Sequence, residues 1–418
     1  MHIWIVQIAE PIQGTDGNVR AGRCNLLAAA LVHEGHQVTW WTSSFDHFRK
    51  IHRDISGNRV VIESGASVRL LKTRWGYRRN VSLARVLNQR AVARRFSREA
   101  RRERSPDLVF CCLPVPEVCG AAAEYCATQQ VPYIVDVRDP WPDVYLQTIP
   151  KCLRPIGKLL LCFEYRRLRR ILDRAKAVTA VSDTYLSWAL QHRSRLSEMV
   201  SRVFPLGFQK PRIPAVNLVV AQDNLTRRFD LTPGAVRVVF SGVFGRFYDL
   251  NTLLEAARQI GTLKGTGIQF IFAGSGDKEA DLRQRATGLP NVLFTGWLKQ
   301  DELYPLLRSC DIAVSAYTKD ALQSLPNKPF DYMAAGLPQI SSLPGELEEI
   351  ISRCNVGLHY EAGNVASLVQ AILRLAESPD QRVQLGRRAE ALFDTQYDAD
   401  AIYPVMAHFL TTLARHTG

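Results

Sequence analysis

The sequence lacks most of the features that mark a membrane-spanning, disulfide-linked or zinc-binding protein. No apolar run approaches the roughly 18 residues that a transmembrane helix needs. The strand-like start at residues 2–8 has no cationic region of the kind that opens a signal peptide. None of the nine cysteines forms a Cys-x-x-Cys pair, and several stand in apolar surroundings, which indicates buried, reduced thiols. We therefore expect a cytoplasmic protein and predict no zinc site.

The residues that are present indicate a globular chain with two domains. Its 418 residues are 46% hydrophobic and 22% charged, which is ample for two cores of ordinary size. Strand-like and helix-like patterns alternate from end to end, as they do in parallel α/β sheets, whereas residues 211–234 have little periodic pattern. The sequence predicts an α/β protein with two Rossmann-like domains at 1–207 and 236–394. A linker and peripheral segment at 208–235 joins them, and residues 395–418 add a last helix.

The most specific chemical signal is residues 325–338, which lie between two strand-like segments. A loop that ends in Pro-Asn-Lys enters a short helix, so that Lys328 and Asp331 share its first turn. Free backbone N–H groups and the helix dipole favour phosphate at such an end, Lys328 adds positive charge, and Asp331 can accept from ribose hydroxyls. These residues follow the carboxyl end of a strand, where open α/β sheets bind ligands. The alternative is a solvated turn before a helix that only packs.

This arrangement resembles the donor-nucleotide motif of GT-B glycosyltransferases, specifically the retaining family 4 and its WbuB-like branch of O-antigen and capsule synthesis. Members usually carry Lys-x-x-Glu-Tyr-Met-Ala-x-Gly-x-Pro here. The resemblance, which is strongest over 241–338, implies a GT-B fold whose two Rossmann-like domains face a central cleft. It implies an acceptor-side first domain, a nucleotide-sugar-binding second domain and a last helix that crosses back to the first. Two departures stand out: Asp331 replaces the ribose-holding glutamate, and Gln323 replaces the first glutamate of a family pair.

The same resemblance assigns further residues of the second half to the donor. Arg246 follows the first strand of that domain in a glycine-containing loop, where an arginine can clamp a diphosphate through a bidentate fork. Since Arg246 and Lys328 would neutralise the diphosphate together with helix dipoles, we expect no metal and no cofactor. The remaining donor-binding residues that the resemblance implies, several of them at the nucleobase pocket, are Gly274, Gly276, Leu298, Leu325 and Pro326.

Two loops of the first half are candidate sites. Gly17 lies in a glycine-containing turn between the first strand and the first helix, where a ligand can approach the backbone closely, although the spacing is not G-x-G-x-x-G. Arg138 and Asp139 follow a strand and precede a double-proline turn, so they form either a structural ion pair or part of the site. The resemblance puts Arg138 where several relatives carry a histidine that touches the donor sugar. Asp139 is then the nearest candidate catalytic carboxylate.

The positive charge is concentrated in the first half of the chain. Through Lys210 there are 33 Lys and Arg against 18 Asp and Glu, whereas the remainder has 20 against 22. Apolar residues interleave with arginines at helical spacing, which predicts an amphipathic helix that either lies on an anionic membrane surface or packs on the domain with solvated arginines. Nucleic acid is another physically sensible partner. The cations of this basic segment are Lys72, Arg74, Arg78, Arg79, Arg85, Arg90, Arg94, Arg95, Arg98, Arg101, Arg102 and Arg104.

These observations lead to one hypothesis and two rivals. We expect a retaining glycosyltransferase that moves a hexosyl or N-acetylhexosaminyl group from a nucleoside diphosphate sugar, with UDP as the favoured nucleotide, to a hydroxyl of a lipid-carried saccharide. A GT-B-like UDP-sugar epimerase would need acid and base carboxylates and no acceptor. A nucleic-acid-binding protein would use the basic segment, but that function leaves Lys328 and Asp331 unexplained.

Overall fold

The computed structural model describes residues 1–17, 20–55, 57–80, 82–146, 149–194, 199–263, 265, 267–321 and 325–415. It divides the chain into two compact units, one of Met1–Gly207 with Ala399–Gly418 and the other of Phe208–Asp398. Each unit is built on its own sheet with helices packed against it. The last helix of the chain belongs to the first unit.

The sheet of the first unit is parallel except for an antiparallel pair at one edge. Its strands are β1 His2–Val6, β2 Gln37–Ser43, β3 Arg59–Val61, β4 Ser67–Leu71, β5 Leu108–Leu113, β6 Tyr133–Val137, β7 Ala177–Ala180 and β8 Val200–Val203. They lie in the order β3-β4-β2-β1-β5-β6-β7-β8. Strands β5 and β6 are buried along their whole length, as expected for parallel strands that are covered on both faces.

Helices cover both faces of this sheet. On one face, the ring of Trp41 lies edge to face with those of Trp4 and Phe96, at centroid distances of 5.0 and 5.3 Å. On the other face, Trp40 and Met406 belong to one core with the first and last helices. The helices of the unit are α1 Arg23–His33, α2 Leu83–Ala100, α3 Pro116–Gln129, α4 Asp143–Leu146, α5 Arg154–Leu160, α6 Cys162–Arg174, α7 Asp183–Gln191 and α16 Ala399–Arg415.

The sheet of the second unit is parallel throughout its described strands. These strands are β9 Val236–Ser241, β10 Ile268–Ala273, β11 Val292–Gly296, β12 Ile312–Ser315, β13 Gln339–Ser341 and β14 Gly357–His359, in the order β11-β10-β9-β12-β13-β14. The helices are α8 Ala215–Phe229, α9 Leu250–Gly261, α10 Glu279–Arg285, α11 Gln300–Arg308, α12 Lys328–Ala334, α13 Glu346–Cys354, α14 Val365–Ala376 and α15 Pro379–Gln396. Because the strands are parallel, the loops that follow them share one edge of the sheet.

The helices include one inside the predicted linker and a break between α5 and α6. The predicted linker contains the helix α8, which begins directly after Pro214, has no internal proline or glycine, and packs along α11. Residues 154–174 form two helices rather than one continuous helix, since the face that packs on the core starts only at Leu168 and no side chain of α5 is buried. In the part of the chain that the structure describes, no helix is both long and apolar enough to cross a membrane.

Candidate functional site

The ammonium group of Lys328 is buried at the start of α12. Its Nζ lies 3.6 Å from the ring centroid of Tyr248 and 4.0 Å from that of Phe240. The side chain runs directly over Gly242, where an added Cβ would stand 2.4 Å from Nζ. Gly242 also has a φ of +122°, so this position requires glycine for both its conformation and the space it leaves. The end of β9 therefore makes room for a lysine that enters from another part of the sheet edge.

No hydrogen-bond acceptor meets Lys328 Nζ among the described residues. Burial lowers the pKa of Lys328 to about 7, against a smaller upward effect of Asp331 one turn along the helix. Contacts with two aromatic faces compensate a cation only in part. The site therefore holds an amine that would gain from an anionic partner, and such a partner would favour its charged form.

The first turn of α12 is fixed in place by its neighbours. The hydroxyl of Tyr332 accepts a hydrogen bond from the backbone N–H of Ser241 at 2.8 Å, which ties the helix to the end of β9. On another side, the ring of Phe330 packs on Phe208 and Tyr397, with centroids 5.1 and 4.6 Å apart. Asp331 is half-buried on the same short helix. These contacts fix the orientation of α12, which carries Lys328 and Asp331.

Gly274 and Gly276 allow two loops to approach each other closely. The N–H of Gly242 donates to Ala273 O at 2.8 Å, and the N–H of Phe244 donates to Ser275 O at 2.8 Å, so the loops pair beyond the ends of β9 and β10. A Cβ on Gly274 would stand 1.9 Å from Gly242 O, and one on Gly276 would stand 2.8 Å from Phe244 N. These glycines therefore shape the edge of the sheet beside Lys328 through backbone packing.

The other predicted donor residues lie in loops at this edge of the second unit. Arg246 is exposed in the loop that joins β9 to α9, two residues before Tyr248. Leu298 is buried after β11, while Leu325 is half-buried and Pro326 buried just ahead of α12. The family pair position Gln323 lies outside the described residues. The predicted donor-binding roles of these residues stay predictions, and the structure brings their loops to one edge of one sheet.

Arg138 belongs to a buried ion network in the first unit. Its Nε donates to Asp136 at 2.9 Å and its Nη1 to Glu10 at 2.8 Å, while Nη2 lies 3.1 Å from the thiols of both Cys24 and Cys112. All of its nitrogens are therefore occupied. The geometry is that of a structural arginine, and its predicted catalytic role remains a prediction.

Arg23 completes this network and was missed by the sequence analysis. Its Nε and Nη2 each donate to Asp136 at 2.9 Å, and its Nη1 donates to the carbonyls of Phe204 and Pro205 at 2.9 and 3.0 Å. Burial alone would raise the pKa of Asp136, but the charges of Arg23 and Arg138 outweigh it and hold that pKa well below its usual range. The one available signal was a carboxylate inside the apolar strand β6, which needs a cationic partner.

Asp139 lies just outside the network and differs from Asp136 in its ionisation. It is half-buried, and burial raises its pKa to about 6 against the opposing charges of Arg138 and Arg85. A carboxyl group that titrates near neutral pH is suited to accepting or donating a proton. Of the two candidate catalytic residues, Asp139 is the one whose environment fits such a task.

The loop that carries Gly17 is held by its neighbour Asp16. The carboxylate of Asp16 accepts from the backbone N–H of Ile12 at 2.7 Å and from Arg53 at 2.7 and 2.8 Å. Gly17 itself is exposed, with a φ of +88° and open space where a Cβ would stand. Across the described residues, no group of three or more His, Cys, Asp or Glu side chains is placed to hold a metal ion.

Two family profiles match the chain. Glycosyltransferase Family 4 matches residues 23–207 and Glycosyl transferases group 1 matches residues 235–378. The amylovoran biosynthesis glycosyltransferase AmsK of Erwinia amylovora is 27% identical over 40% of this chain and 42% of its own length. The D-rhamnosyltransferase WbpZ of Pseudomonas aeruginosa is 27% identical over 56% of this chain and 59% of its own. The match thus spans about half the length of these curated relatives.

Solved structures of glycosyltransferases share the fold of this chain. HepE of Anabaena, solved in complex with UDP and glucose, has a TM-score of 0.65 at 18% identity and covers 99% of this chain and 100% of its own. Sucrose-phosphate synthase of Thermosynechococcus elongatus has a TM-score of 0.70 at 16% identity, with 100% of both chains covered. With two Rossmann-like units of parallel sheet, and with profile matches to each unit, the chain belongs to the GT-B glycosyltransferases and carries a family 4 domain followed by a group 1 domain.

Proposed function

We propose that the protein transfers a sugar from a UDP-sugar to a hydroxyl of a lipid-carried saccharide during synthesis of a cell-surface polysaccharide. The observation that carries the donor half is the buried ammonium of Lys328, which lacks an acceptor among the described residues. A diphosphate oxygen is the kind of anionic acceptor that such a group pairs with. HepE has been solved with UDP and with UDP-glucose, and a curated relative from Escherichia coli is an O-antigen chain mannosyltransferase.

In this proposal the protein stabilises charge rather than supplying covalent chemistry. As the bond to the sugar breaks, negative charge grows on the departing diphosphate, and Lys328 neutralises it inside a water-poor site where electrostatic contacts are strong. Arg246 adds a second cation from the neighbouring loop. Asp331 accepts hydrogen bonds from the ribose hydroxyls. The resemblance of the 325–338 motif further leads us to propose transfer with retention, which proton NMR of the product's anomeric centre tests.

A direct assay separates this function from its rivals. UDP-sugars are screened by thermal shift, and those that bind are incubated with and without a saccharide on a short-chain lipid diphosphate. We expect a new glycosidic product only when the acceptor is present. Conversion of the UDP-sugar in the absence of acceptor would identify an epimerase instead. Failure of every UDP-sugar and of UDP itself to bind would sink the proposal.

Replacing Asp331 with asparagine is expected to weaken UDP binding by roughly tenfold or more, because a hydrogen bond to a charged group contributes about 1.5–3 kcal/mol. Calorimetry measures the affinities of the wild type and of the variant for UDP and for 2′,3′-dideoxy-UDP, which lacks both ribose hydroxyls. The double comparison isolates the contribution of the contact between Asp331 and the ribose. The wild type should prefer UDP, and the variant should bind both nucleotides alike. If the variant keeps the full preference, Asp331 does not contact the ribose.

Replacing Asp139 with asparagine is expected to lower kcat by about 10²–10⁴-fold while leaving UDP affinity unchanged, since we propose that this carboxylate accepts a proton from the acceptor hydroxyl. Burial raises the pKa of Asp139 to about 6, so the basic form is present above that pH and the wild-type rate should climb as the pH rises through 6. The pH profile of kcat/KM checks this. A variant with wild-type kcat would remove Asp139 from the mechanism.

We also propose that the basic segment lies at an anionic membrane surface. In the second half of α2, Val92 and Phe96 are buried in the core whereas Arg90, Arg94 and Arg98 are exposed, so this part of the helix offers charge to the surface. The protein should sediment with vesicles of phosphatidylcholine and phosphatidylglycerol, but not with phosphatidylcholine alone, and salt should release it. Equal sedimentation with both vesicles would contradict an electrostatic contact.

A further inference from the structure

An apolar pocket of about 560 Å³ lies in the first unit, between α2, α4, α5 and α6. Its volume falls within the range of about 300–1,000 Å³ that is usual for small-molecule sites. The donor chemistry proposed for Lys328 belongs to the second unit and makes no use of this pocket. The side chains that give the pocket its apolar character include Leu83, Val86, Trp141, Tyr145, Leu146 and Leu161.

Large apolar side chains stand exposed at this pocket. Leu83 and Leu160, which both line it, are 74% and 77% exposed, and the neighbouring Leu159 and Phe163 are 73% and 72% exposed. Single exposed leucines are ordinary on a protein surface, but an apolar patch continuous with a pocket marks a binding surface. The α5 helix has no buried residue at all, so packing within the unit does not explain its apolar side chains.

A cationic groove adjoins the pocket along the same helices. This groove, of about 610 Å³, is formed by α2, α3 and α6, and Glu117 lines both cavities. Arg167 is already paired with Glu164 at 2.7 Å, and Glu117 and Glu124 are the acidic residues of the lining. The lining side chains therefore change from apolar to cationic towards the C-terminal ends of α2 and α6. The arginines of the groove are Arg90, Arg94, Arg167, Arg170 and Arg174.

Arg85 adds a buried polar group to the apolar pocket. Its guanidinium lies over the Trp141 ring at 5.1 Å, and its Nη1 donates to Asn80 O at 2.8 Å. Its Nε has no acceptor among the residues that the structure describes, although the side chain is only 9% exposed. A few polar groups within an apolar lining are typical of pockets that bind and orient a ligand.

We infer that the pocket and the groove together bind an anionic amphiphile, with its hydrocarbon chain in the pocket and its phosphate head among the arginines. The apolar lining with its exposed rim fits the chain, and the excess of arginine over glutamate in the groove fits the head. A lipid-carried acceptor is a molecule of this class, so the inference deepens the proposed function and rests on it for the ligand's identity.

Calorimetry with simple amphiphiles below their critical micelle concentrations tests the inference. Dodecyl phosphate should bind at least tenfold more tightly than octyl phosphate, because each additional buried methylene contributes to affinity. It should also bind at least tenfold more tightly than dodecyl maltoside, which has the same chain and a neutral head. Inorganic phosphate, which has no chain, should bind more weakly than all three.

Variants at exposed positions locate the site without disturbing the core. The double variant Leu83→Asp/Leu160→Asp should weaken dodecyl phosphate at least tenfold, and Val219→Asp, on an exposed position of α8, is the control that should not. The double variant Arg94→Glu/Arg170→Glu should weaken dodecyl phosphate but leave dodecyl maltoside unchanged. Its charge-matched control is Arg387→Glu/Arg388→Glu on α15, where both arginines are exposed.

The inference is overturned if dodecyl phosphate does not bind, or if Leu83→Asp/Leu160→Asp binds it as the wild type does. None of these probes contains a nucleotide, and the phosphate probes contain no sugar, so binding of dodecyl phosphate is independent of the donor site. If UDP-sugars prove not to be substrates while the amphiphile pattern holds, the proposed function fails and the pocket stands. If transfer occurs and the amphiphile pattern is absent, the pocket assignment fails and the proposed function stands.

Discussion

Replacing Lys328 with methionine is expected to weaken UDP binding by roughly ten- to a hundredfold. A hydrogen bond to a charged group contributes about 1.5–3 kcal/mol, and 1.4 kcal/mol corresponds to a factor of ten. Methionine keeps most of the volume and a favourable contact with the rings of Phe240 and Tyr248, so the effect should come from the lost charge. Isothermal titration calorimetry measures it. Lys319→Met changes an exposed lysine of the same unit and should leave the affinity as it is.

Binding of UDP by the wild type is also expected to take up a proton. The pKa of Lys328 is about 7 without a ligand, so at pH 8 the amine is mostly neutral. A diphosphate beside it favours the ammonium form and draws in about one proton per nucleotide bound. Titrations in buffers of different ionisation enthalpy count that proton, and Lys328→Met should lose it. Binding without proton uptake in the wild type would mean that the diphosphate lies away from this amine.

The same substitution should stabilise the unliganded protein. The pKa of Lys328 in the folded state lies below its ordinary value of 10.5, so the unfolded chain binds more protons between pH 7 and 10.5. Stability therefore increases with pH across that window, and the cost of burying the charge is fully present below pH 7. Methionine removes this cost, and its gain in Tm should be largest at pH 6. A lower Tm at pH 6 would show that the ammonium group stabilises the fold.

The sequence was sufficient to predict where Lys328 and Asp331 lie but not what surrounds them. A lysine at the end of a loop between a strand and a helix predicts a place at the carboxyl edge of a parallel sheet, which the structure confirms. The aromatic rings of Phe240 and Tyr248 come from strand β9 and the loop after it, about eighty positions earlier in the chain, so the burial of the amine depends on strand order. The local sequence pattern carries no information about the order of the strands in the sheet.

The buried network of the first unit was beyond sequence reasoning for a similar reason. Arg138 and Asp139 are adjacent and suggest an ion pair, yet Arg138 pairs with Asp136 and with Glu10, which is 128 positions away. Arg23, at the start of α1, also pairs with Asp136. Parallel strands β1 and β6 bring these residues to one edge of the sheet although they are remote in the chain. The pattern predicted charges at this edge but could not assign their partners.

Replacing Asp136 with asparagine is expected to destabilise the first unit by about 3–5 kcal/mol, because removing one member of a buried ion network leaves the other charges uncompensated. Arg23 and Arg138 would keep their charge inside the protein with one fewer anion to balance them. For a unit of this size the Tm should fall by roughly 6–20 °C. Asp54→Asn, at an exposed position, is the matched control and should stay within about 0.5 kcal/mol of the wild type.

The difference between the wild type and Asp136→Asn should depend on pH in a defined direction. Because the pKa of Asp136 is held below its ordinary value, the carboxylate stabilises the fold above the unfolded pKa of 3.8 and loses that contribution as the pH falls below it. The two proteins should therefore converge in acid. Adding Arg138→Met to Asp136→Asn removes one of the uncompensated charges and should recover part of the lost stability. If the two substitutions instead add their separate costs, Arg138 and Asp136 are not coupled, and Arg138 is again available for a role in the reaction.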